Sequence, residues 1–419
     1  MYLNSFSITG YQSYRATPDL RLDPHITILA GRNNVGKTAL LRALRLPVEL
    51  KPGIGEDLRL QFAWTVTRAE LFAAFTNFGD ALRTVGISSP RDSYELCATV
   101  VQRLDLDKLP HMERFSAISY QLGDHLFLLE SNIANTGLRI GPTIVDTPSY
   151  HGQAIWWRDL DVPGGGYWET LAQEWMALIR NNVLTSYYIQ PRRTGAQPVQ
   201  YNVVYQLEPD GSNLTTVTAT LYNNCQRTIF RELETFMRSA FPEIHHIDIR
   251  TAGSPAIVTV HVVYGEGPEE LAVPLEQCGT GVEQMLMLAV AILTATTPRL
   301  FLIDEPHAFL HPSAERSLLR FIRAHPQHQY VIATHSAVFL NSLPLAQARL
   351  ITIDGAGSHI NDVRHAAEVL TAVGVTAADL WSADALFWIE GPSDVRAMEE
   401  LINGTPELVL QQHLRERVA

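Results

Sequence analysis

The chain has 419 residues, of which 46% are hydrophobic and 18% are charged, and its formal net charge is −12. This composition is typical of a folded protein with two or three domains, and it excludes a disordered chain. The excess of acidic residues argues against attraction of the whole surface to nucleic acid, so any contact with nucleic acid must be local.

The sequence contains no sign of a membrane or secreted location. No apolar run reaches the roughly 18 residues that a membrane-spanning helix needs, and the first residues lack a basic and then apolar signal pattern. The cysteines Cys97, Cys225 and Cys278 are widely separated and suggest neither a zinc site nor a disulfide framework. We therefore expect a cytoplasmic protein without a membrane partner.

A phosphate-binding loop is predicted near the start of the chain. Residues 2–8 alternate like a strand, residues 26–30 are an apolar strand, and residues 31–38 read GRNNVGKT, which fits G-x-x-x-x-G-K-[ST]. A helix is predicted from Thr38 to Pro47. The agreement of strand, spacing, lysine and helix argues against an ordinary glycine turn.

This loop predicts a site for ATP and Mg²⁺. Its glycines let backbone N–H groups close around the β-phosphate, and the helix points its partial positive end at the anion. Lys37 would reach the β and γ oxygens, while the Thr38 hydroxyl would hold Mg²⁺. The residues predicted to bind nucleotide here are Gly31, Asn33, Asn34, Gly36, Lys37 and Thr38.

The middle of the chain mixes strands, loops and helices. Strands are predicted at 62–66, 95–103, 119–129, 244–249 and 256–263, a loop-rich stretch at 141–166, and helices at 168–183 and 227–240. No sustained heptad occurs, so a long coiled coil is not expected.

The second half of the nucleotide site is predicted after two apolar strands. Residues 299–306 read RLFLIDEP, so Asp304 is placed to hold Mg²⁺ and Glu305 to polarise the attacking water. Residues 330–336 read YVIATHS and deliver His335, which can contact the γ-phosphate. The alternatives are an acidic turn and a structural histidine. The phosphate-binding loop favours the functional interpretation of the carboxylates, and the position of His335 one strand after them favours that of the histidine.

A glycine-rich turn reads CGTGVEQ at residues 278–284 and precedes an apolar helix at 285–293. Such a helix start can bind a second phosphate through Gly279, Thr280 and Gly281. An N-cap with flexible glycines explains this pattern equally well.

Taken in chain order, these motifs resemble the ABC-type ATPase core of the OLD family, bacterial relatives of the RecF and SMC ATPases. The resemblance implies an α/β fold in which a mixed sheet core carries an antiparallel β subdomain and a helical lobe. It divides the chain into a discontinuous core at 1–48 and 245–365, an inserted lobe at 49–244 and a C-terminal segment at 366–419. It also implies Walker A at 31–38, the ABC signature at 279–284, Walker B at 301–304, Glu305 as catalytic carboxylate and His335 as switch histidine.

The chain departs from the family pattern at two positions. Gly279 stands where the signature usually has Ser, so Thr280 would have to supply a hydroxyl and hydrolysis could be slow. His307 stands where relatives often carry another acid. The usual metal-binding glutamine is not placed, and Gln61 and Gln190 are both candidates.

The resemblance also implies assembly and partners. Two copies should sandwich two ATP molecules, as a dimer or within a higher homo-oligomer, and act as sensor or motor for a separate effector, such as a nuclease, in anti-phage defence. The rival hypothesis is a RecF-like ATPase that clamps DNA, supported by Arg42, Arg45 and the pair Arg192-Arg193. A third is a scaffold that binds ATP and scarcely hydrolyses it.

Residues 386–394 read LFWIEGPSD and look like the opening of a Toprim nuclease domain, with Glu390 as its carboxylate. A working site also needs a later Asp-x-Asp pair, for which the roughly 25 residues after Asp394 leave no room. Nuclease activity is therefore not expected from this chain alone.

Overall fold

A computed structural model describes the parts of the chain that carry the predicted site. The described residues are 2–45, 57–67, 69–70, 93–104, 114–122, 125–132, 139–143, 186–189, 197–208, 210–223, 227–254, 256–265, 271–342, 344–363 and 368–369. The predicted helix at 168–183, the Gln190 candidate, the pair Arg192-Arg193 and the Toprim-like segment at 386–394 lie outside them.

The described residues form strands and helices whose bounds are as follows. The strands are β1 (Tyr2–Tyr11), β2 (Tyr14–Ala16), β3 (Leu20–Arg21), β4 (Ile26–Ala30), β5 (Asp57–Thr67), β6 (Ser93–Leu104), β7 (Arg114–Leu122), β8 (His125–Asn132), β9 (Arg139–Thr143), β10 (Tyr187–Ile189), β11 (Val199–Gln200), β12 (Ile244–Ala252), β13 (Ile257–Tyr264), β14 (Leu271–Pro274), β15 (Leu300–Asp304), β16 (Gln329–Thr334), β17 (Ala348–Asp354) and β18 (Gly357–Asp362). The helices are α1 (Lys37–Arg45), α2 (Leu214–Asn223), α3 (Arg227–Ala240), α4 (Thr280–Thr294), α5 (Pro312–Ala324) and α6 (Ala337–Asn341).

A mainly parallel sheet carries the predicted motifs. Its strand order is β10-β15-β16-β4-β17-β18, and only the β17–β18 pair is antiparallel. All residues of β4 and β16 are buried. A parallel strand that is covered on both faces needs such a continuous apolar run, because helices or a second sheet exclude water from each side.

Two antiparallel sheets complete the described fold. One has the order β2-β1-β5-β6-β7-β8-β9 with β3 beside β1, and the other has the order β11-β13-β12 with β14 beside β13. The mixed α/β fold with an antiparallel β subdomain agrees with the predicted class, and the described residues contain no long coiled coil.

Helices α2 to α5 share one continuous apolar core with one face of the parallel sheet. Helix α4 is buried from Gly281 to Ile292, and α3 contacts α2, α4 and α5. Aromatic pairs join its neighbours: the rings of Phe236 and Phe321 lie 4.1 Å apart, and those of Phe301 and Tyr330 lie 5.4 Å apart. Helix α1 contacts the sheet separately, through β10, β15 and β16. This packing fixes the strands whose ends carry the site.

Some predicted elements agree with the structure and others need correction. The strand at 26–30 and the helix at 227–240 have the predicted bounds. The single strand predicted at 119–129 is wrong, because β7 and β8 form an antiparallel pair in which Leu122 lies opposite His125. The intervening Gly123-Asp124 is a hairpin signal that the apolar residues on both sides obscured. The stretch predicted as loop-rich from 141 overlaps the end of β9.

The division into domains stays a prediction. Strand β10, from the segment assigned to the inserted lobe, pairs with β15 in the parallel sheet. Among the described residues, none of the helices has both the length and the apolar character that crossing a bilayer requires.

Candidate nucleotide-binding site

Three neighbouring strands of the parallel sheet end at the same edge. Asp304 of β15 lies opposite Ala333 of β16, and Thr334 of β16 lies opposite Ala30 of β4. The phosphate-binding loop follows β4, Glu305 follows β15 and His335 follows β16. The carboxyl ends of parallel strands are where α/β folds bind ligands, so the sheet order brings these motifs to one site.

The phosphate-binding loop is supported from behind by residues of two hairpins. Ser358 Oγ donates to the carbonyl of Val35 at 2.7 Å, and Tyr14 Oη donates to the carbonyl of Gly36 at 3.1 Å. Gly36 has a φ of +108°, and a Cβ there would lie 2.7 Å from Ser358 Oγ. Glycine is therefore needed here both for its backbone conformation and for space.

Lys37 is buried beneath the loop and is 4% exposed. Its Nζ donates to the carbonyls of Gly31 at 2.8 Å and Arg32 at 2.9 Å, and it lies 3.1 Å from Oε1 of Glu305. A buried ammonium needs such partners because its charge has left water. The same ammonium is thus shared between the phosphate-binding loop and the carboxylate after β15.

Thr38 and Asp304 form the second contact between these segments. Thr38 Oγ1 donates to Oδ2 of Asp304 at 2.9 Å, and Tyr188 Oη donates to the same oxygen at 3.4 Å. Oδ1 of Asp304 is buried and has no hydrogen-bond partner among the described residues. Burial raises the pKa of Asp304, and the Thr38 hydrogen bond opposes that shift.

A hydroxyl beside a buried carboxylate with an unused oxygen fits a hard cation. Mg²⁺ is bound through one or two protein oxygens, with water and substrate phosphates completing its octahedral shell. Thr38 and Asp304 are therefore residues that could hold Mg²⁺.

Glu305 has an unusual backbone and three partners. Its φ is +48°, a left-handed conformation that costs free energy for a residue with a side chain. Its N–H donates to the carbonyl of Ala333 at 2.8 Å, which helps hold that conformation. Besides Lys37, its carboxylate contacts Nδ1 of His335 at 3.1 Å and Nδ1 of His307 at 3.4 Å. Strained residues of this kind occur often at catalytic sites.

The two histidines face one another across Glu305. Their Nε2 atoms lie 3.3 Å apart, and their rings are nearly perpendicular at 84°. Nδ1 of His307 also lies 2.9 Å from Oγ1 of Thr334. Burial lowers the pKa of His307 to about 4, so its ring is neutral at neutral pH. His335 is more exposed, at 42%, and stands at the entrance of the site.

The loop that carries His335 is held by helix α5. The Ser336 N–H donates to Oγ1 of Thr334 at 3.0 Å, and the Ser336 hydroxyl donates to the carboxylate of Glu315. Burial raises the pKa of Glu315. These contacts position His335 without using its side chain.

The predicted signature segment, residues 279–284, lies at the start of α4. Gly279 and Thr280 are exposed, and a Cβ at Gly279 would meet no atom within 4 Å. Gly281 is buried, and a Cβ there would lie 2.5 Å from the carbonyl oxygen of Phe309. Nε2 of Gln284 donates to the carbonyl of Pro306 at 3.3 Å, so the helix packs on the turn after Glu305.

The structure brings together Lys37, Thr38, Asp304, Glu305 and His335, and it leaves Gly279 and Thr280 exposed. Gln61, one candidate for the metal-binding glutamine, lies in β5 of the antiparallel sheet and accepts a hydrogen bond from Ser7. Sequence reasoning missed Tyr188, Ser358 and Tyr14. A short apolar YYI run could have indicated the strand with Tyr188, whereas nothing in the sequence marks Ser358.

The phosphate-binding loop after β4, the carboxylates of Asp304 and Glu305 at the end of β15 and the histidine after β16 thus lie at one edge of the parallel sheet. Residues 167–341 match a family model described as "AAA domain, putative AbiEii toxin, Type IV TA system". The matched segment contains Asp304, Glu305 and His335, and the phosphate-binding loop lies before it.

Curated relatives match over a short segment. The chain is 48% identical over 44 residues to the "DNA replication and repair protein RecF" of Paenarthrobacter aurescens (strain TC1) and to that of Arthrobacter sp. (strain FB24). Each match spans 10% of this chain and 11% of the relative's length.

Solved structures of SMC head domains are also similar. The SMC head bound to the C-winged helix domain of ScpA has a TM-score of 0.46 at 11% identity, covering 87% of this chain and 98% of that one. The SMC head domain from Thermotoga maritima has a TM-score of 0.44 at 10% identity, covering 87% of this chain and 100% of that one.

Proposed function

We propose that the chain binds ATP with Mg²⁺ and hydrolyses it. The observation that carries this proposal is the convergence of Lys37, Thr38, Asp304, Glu305 and His335 at one sheet edge. These residues come from three separate parts of the sequence, and each has the chemistry that phosphoryl transfer to water requires.

Each residue has a distinct role in this proposal. The backbone N–H groups of the loop, including those of Gly31, Asn33, Asn34 and Gly36, bind the phosphates, as a helix start favours anions. Thr38 and Asp304 hold Mg²⁺, which neutralises charge on the β and γ oxygens. Lys37 binds the same phosphates through its ammonium.

Glu305 changes partner when ATP binds. In this structure its carboxylate is neutralised by Lys37 at 3.1 Å. Phosphate oxygens compete for that ammonium, so binding leaves Glu305 to accept a proton from the attacking water. His335 donates a hydrogen bond to the γ-phosphate and stabilises the charge on it.

We also propose that the site is completed by a second copy of the chain. Gly279, Thr280 and Gly281 would bind the γ-phosphate held by the partner, in a sandwich of two ATP molecules. The exposure of Gly279 and Thr280 at the start of a buried helix supports this arrangement. ATP then holds the copies together, and hydrolysis separates them.

The biological role proposed is that of a sensor or motor for a separate effector, such as a nuclease, in bacterial anti-phage defence. The resemblance to OLD-family ATPases and the match to a model named for a toxin of a toxin–antitoxin system support it.

A second candidate is a DNA-binding ATPase of the RecF kind. The short match to two RecF proteins favours it. DNA binding by the purified chain that weakens steeply as salt is raised would support this candidate. If the chain did not change the electrophoretic mobility of DNA at low salt with ATP present, this candidate would be excluded.

The ATPase proposal is tested with Glu305→Gln. The amide keeps the side-chain shape but cannot accept a proton, so we expect ATP turnover to fall about a hundredfold or more. Association of copies in the presence of Mg²⁺ and ATP, measured by light scattering, should persist. Glu243→Gln, at an exposed carboxylate, is the matched control.

Wild-type protein that does not hydrolyse ATP would overturn the proposal. So would equal turnover in wild type and Glu305→Gln.

A further inference from the structure

Glu305, His307 and His335 form a cluster of metal-ligating side chains beside the proposed Mg²⁺ residues. One donor atom from each residue can be chosen so that all lie within 4.8 Å of one another. Oε2 of Glu305 lies 3.1 Å from Nδ1 of His335 and 3.4 Å from Nδ1 of His307, and the two Nε2 atoms lie 3.3 Å apart. Three residues from two loops thus place their possible ligand atoms close together.

One donor atom from each residue within 4.8 Å of the others is close to the spacing of a metal site. In a tetrahedral shell with ligand bonds of roughly 2.1 Å, neighbouring donor atoms lie about 3.4 Å apart. The histidines contact Glu305 through Nδ1 and each other through Nε2, so the side chains must close in on an ion by less than about 1.5 Å to reach ligand distance. The perpendicular rings can then direct lone pairs to the same point without stacking.

The kind of donor selects the metal. Two imidazoles and one carboxylate suit Zn²⁺ and similar transition metals, whereas Mg²⁺ prefers oxygen ligands only. Thr38 and Asp304 offer oxygen atoms, and His307 and His335 add nitrogen. The nucleotide site therefore contains two neighbouring sets of residues with different metal preferences.

The surroundings of the cluster support ligation. Oγ1 of Thr334 contacts Nδ1 of His307 and receives the Ser336 N–H, so a polar group that is itself held in place orients the His307 ring and leaves Nε2 as its ligand atom. Such outer contacts are typical of histidine ligands. His335 is 42% exposed, which leaves access for an ion and for a water or phosphate oxygen as a fourth ligand.

From this geometry we infer that Glu305, His307 and His335 bind a divalent transition metal of the Zn²⁺ class, and that the bound metal inhibits ATP hydrolysis. A metal on Glu305 occupies the lone pairs that would take the proton from water, and it fixes His335 away from the γ-phosphate. The inhibition rests on the proposed function, whereas the binding does not.

Metal binding is measured by titrating the full chain with Zn²⁺ in a calorimeter without nucleotide. We expect one site that weakens about tenfold or more in His307→Gln and in His335→Gln, since each loses a ligand. His335→Gln alters an exposed ring and should leave thermal unfolding unchanged. The matched control is His359→Gln, because the His359 ring contacts Asp354 within the β17–β18 hairpin and is not part of the cluster.

Equal Zn²⁺ affinity in wild type, His307→Gln and His335→Gln would overturn the site. In the second measurement, Zn²⁺ should inhibit wild-type ATP turnover and inhibit His307→Gln about tenfold less at the same concentration. A wild type that binds Zn²⁺ at this site but keeps full turnover would refute the inhibition. A wild type without any turnover would refute the proposed ATPase, while the calorimetry would still decide the metal site.

Discussion

Nζ of Lys37 lies 3.1 Å from Oε1 of Glu305, so the cation proposed to bind phosphate and the carboxylate proposed to activate water neutralise one another. Lys37 is buried, and Glu305 is 20% exposed. Solvent therefore screens this pair less than a surface ion pair. Nucleotide binding must break a contact within the protein before the carboxylate can act.

Replacing Lys37 should abolish tight nucleotide binding. Lys37→Met keeps an unbranched chain of similar length but removes the ammonium, so we expect the Kd for ATP to rise at least about tenfold, because a charge-assisted contact is worth roughly 1.5–3 kcal/mol. Arg42→Met is the matched control, since it removes a charge from the exposed face of the same helix. Equal ATP affinity in both variants would show that Lys37 does not contact phosphate.

The two glycines of the signature should differ in their tolerance of a methyl group. In Gly281→Ala the new Cβ would meet the carbonyl oxygen of Phe309 at 2.5 Å, so we expect the free energy of unfolding to fall by about 2 kcal/mol. Gly279→Ala introduces a Cβ with no atom within 4 Å and should unfold like wild type. Urea denaturation of the two variants measures the difference. Equal stabilities would mean that α4 does not pack on Phe309 as described.

Removing the Ser358 hydroxyl should weaken the support of the phosphate-binding loop. Ser358 is 2% exposed, and Ser358→Ala leaves the carbonyl of Val35 without this donor. We expect a loss of about 1–2 kcal/mol in the free energy of unfolding and a higher KM for ATP. Asn361→Ala, at an exposed position of the same hairpin, should change neither quantity. A normal KM in Ser358→Ala would show that the loop keeps its shape without this contact.

His328 should make the protein less stable in acid. Burial, and to a lesser extent the nearby His325, lowers its pKa to about 4, against 6.5 for the ordinary side chain. The folded state therefore resists protonation, and stability that is complete above pH 6.5 is lost as the pH falls towards 4. The free energy of unfolding falls by at most about 3 kcal/mol through this group.

The contribution of His328 to acid sensitivity is isolated by measuring the free energy of unfolding of wild type and His328→Asn at several pH values. Asn can still accept the hydrogen bond that the Arg299 N–H donates to Nδ1 of His328 at 3.2 Å. The pKa of His307 is lowered in both proteins. Only the difference between the two proteins in the slope of unfolding free energy against pH therefore belongs to His328. We expect the free energy of unfolding to change less with pH in His328→Asn than in wild type between pH 4 and 6.5. Identical slopes would contradict the assignment, and His359→Asn should match wild type.

Residues with a strong local pattern could be predicted from the sequence. The strand before the phosphate-binding loop is a continuous apolar run, and β15 and β16 have the same character, so their ends could be expected at one edge. The helix at 227–240 shows the apolar spacing of an amphipathic helix. The three strands, and not the helix, carry the predicted site residues at their ends.

Other features depend on contacts between distant residues. Helix α2 contains four threonines, and β-branched residues lower helix propensity, so only its packing reveals it. Ser358 contacts Val35 across 323 positions of the chain, and no pattern near either residue indicates the pair. The left-handed backbone of Glu305 could not be predicted from the sequence either, because the residue is not a glycine. A hydrogen bond to the neighbouring strand holds this conformation.

The order of synthesis sets a constraint on how this protein is made. Strand β4 is translated early, but both of its neighbours in the sheet come much later, and the Thr38–Asp304 hydrogen bond joins residues 266 positions apart. Until β16 and β17 emerge from the ribosome, this apolar strand has neither of its native neighbours. Such segments favour association with other chains during slow, long-range folding. Production of the protein should therefore depend on chaperones more than that of a protein built from local hairpins.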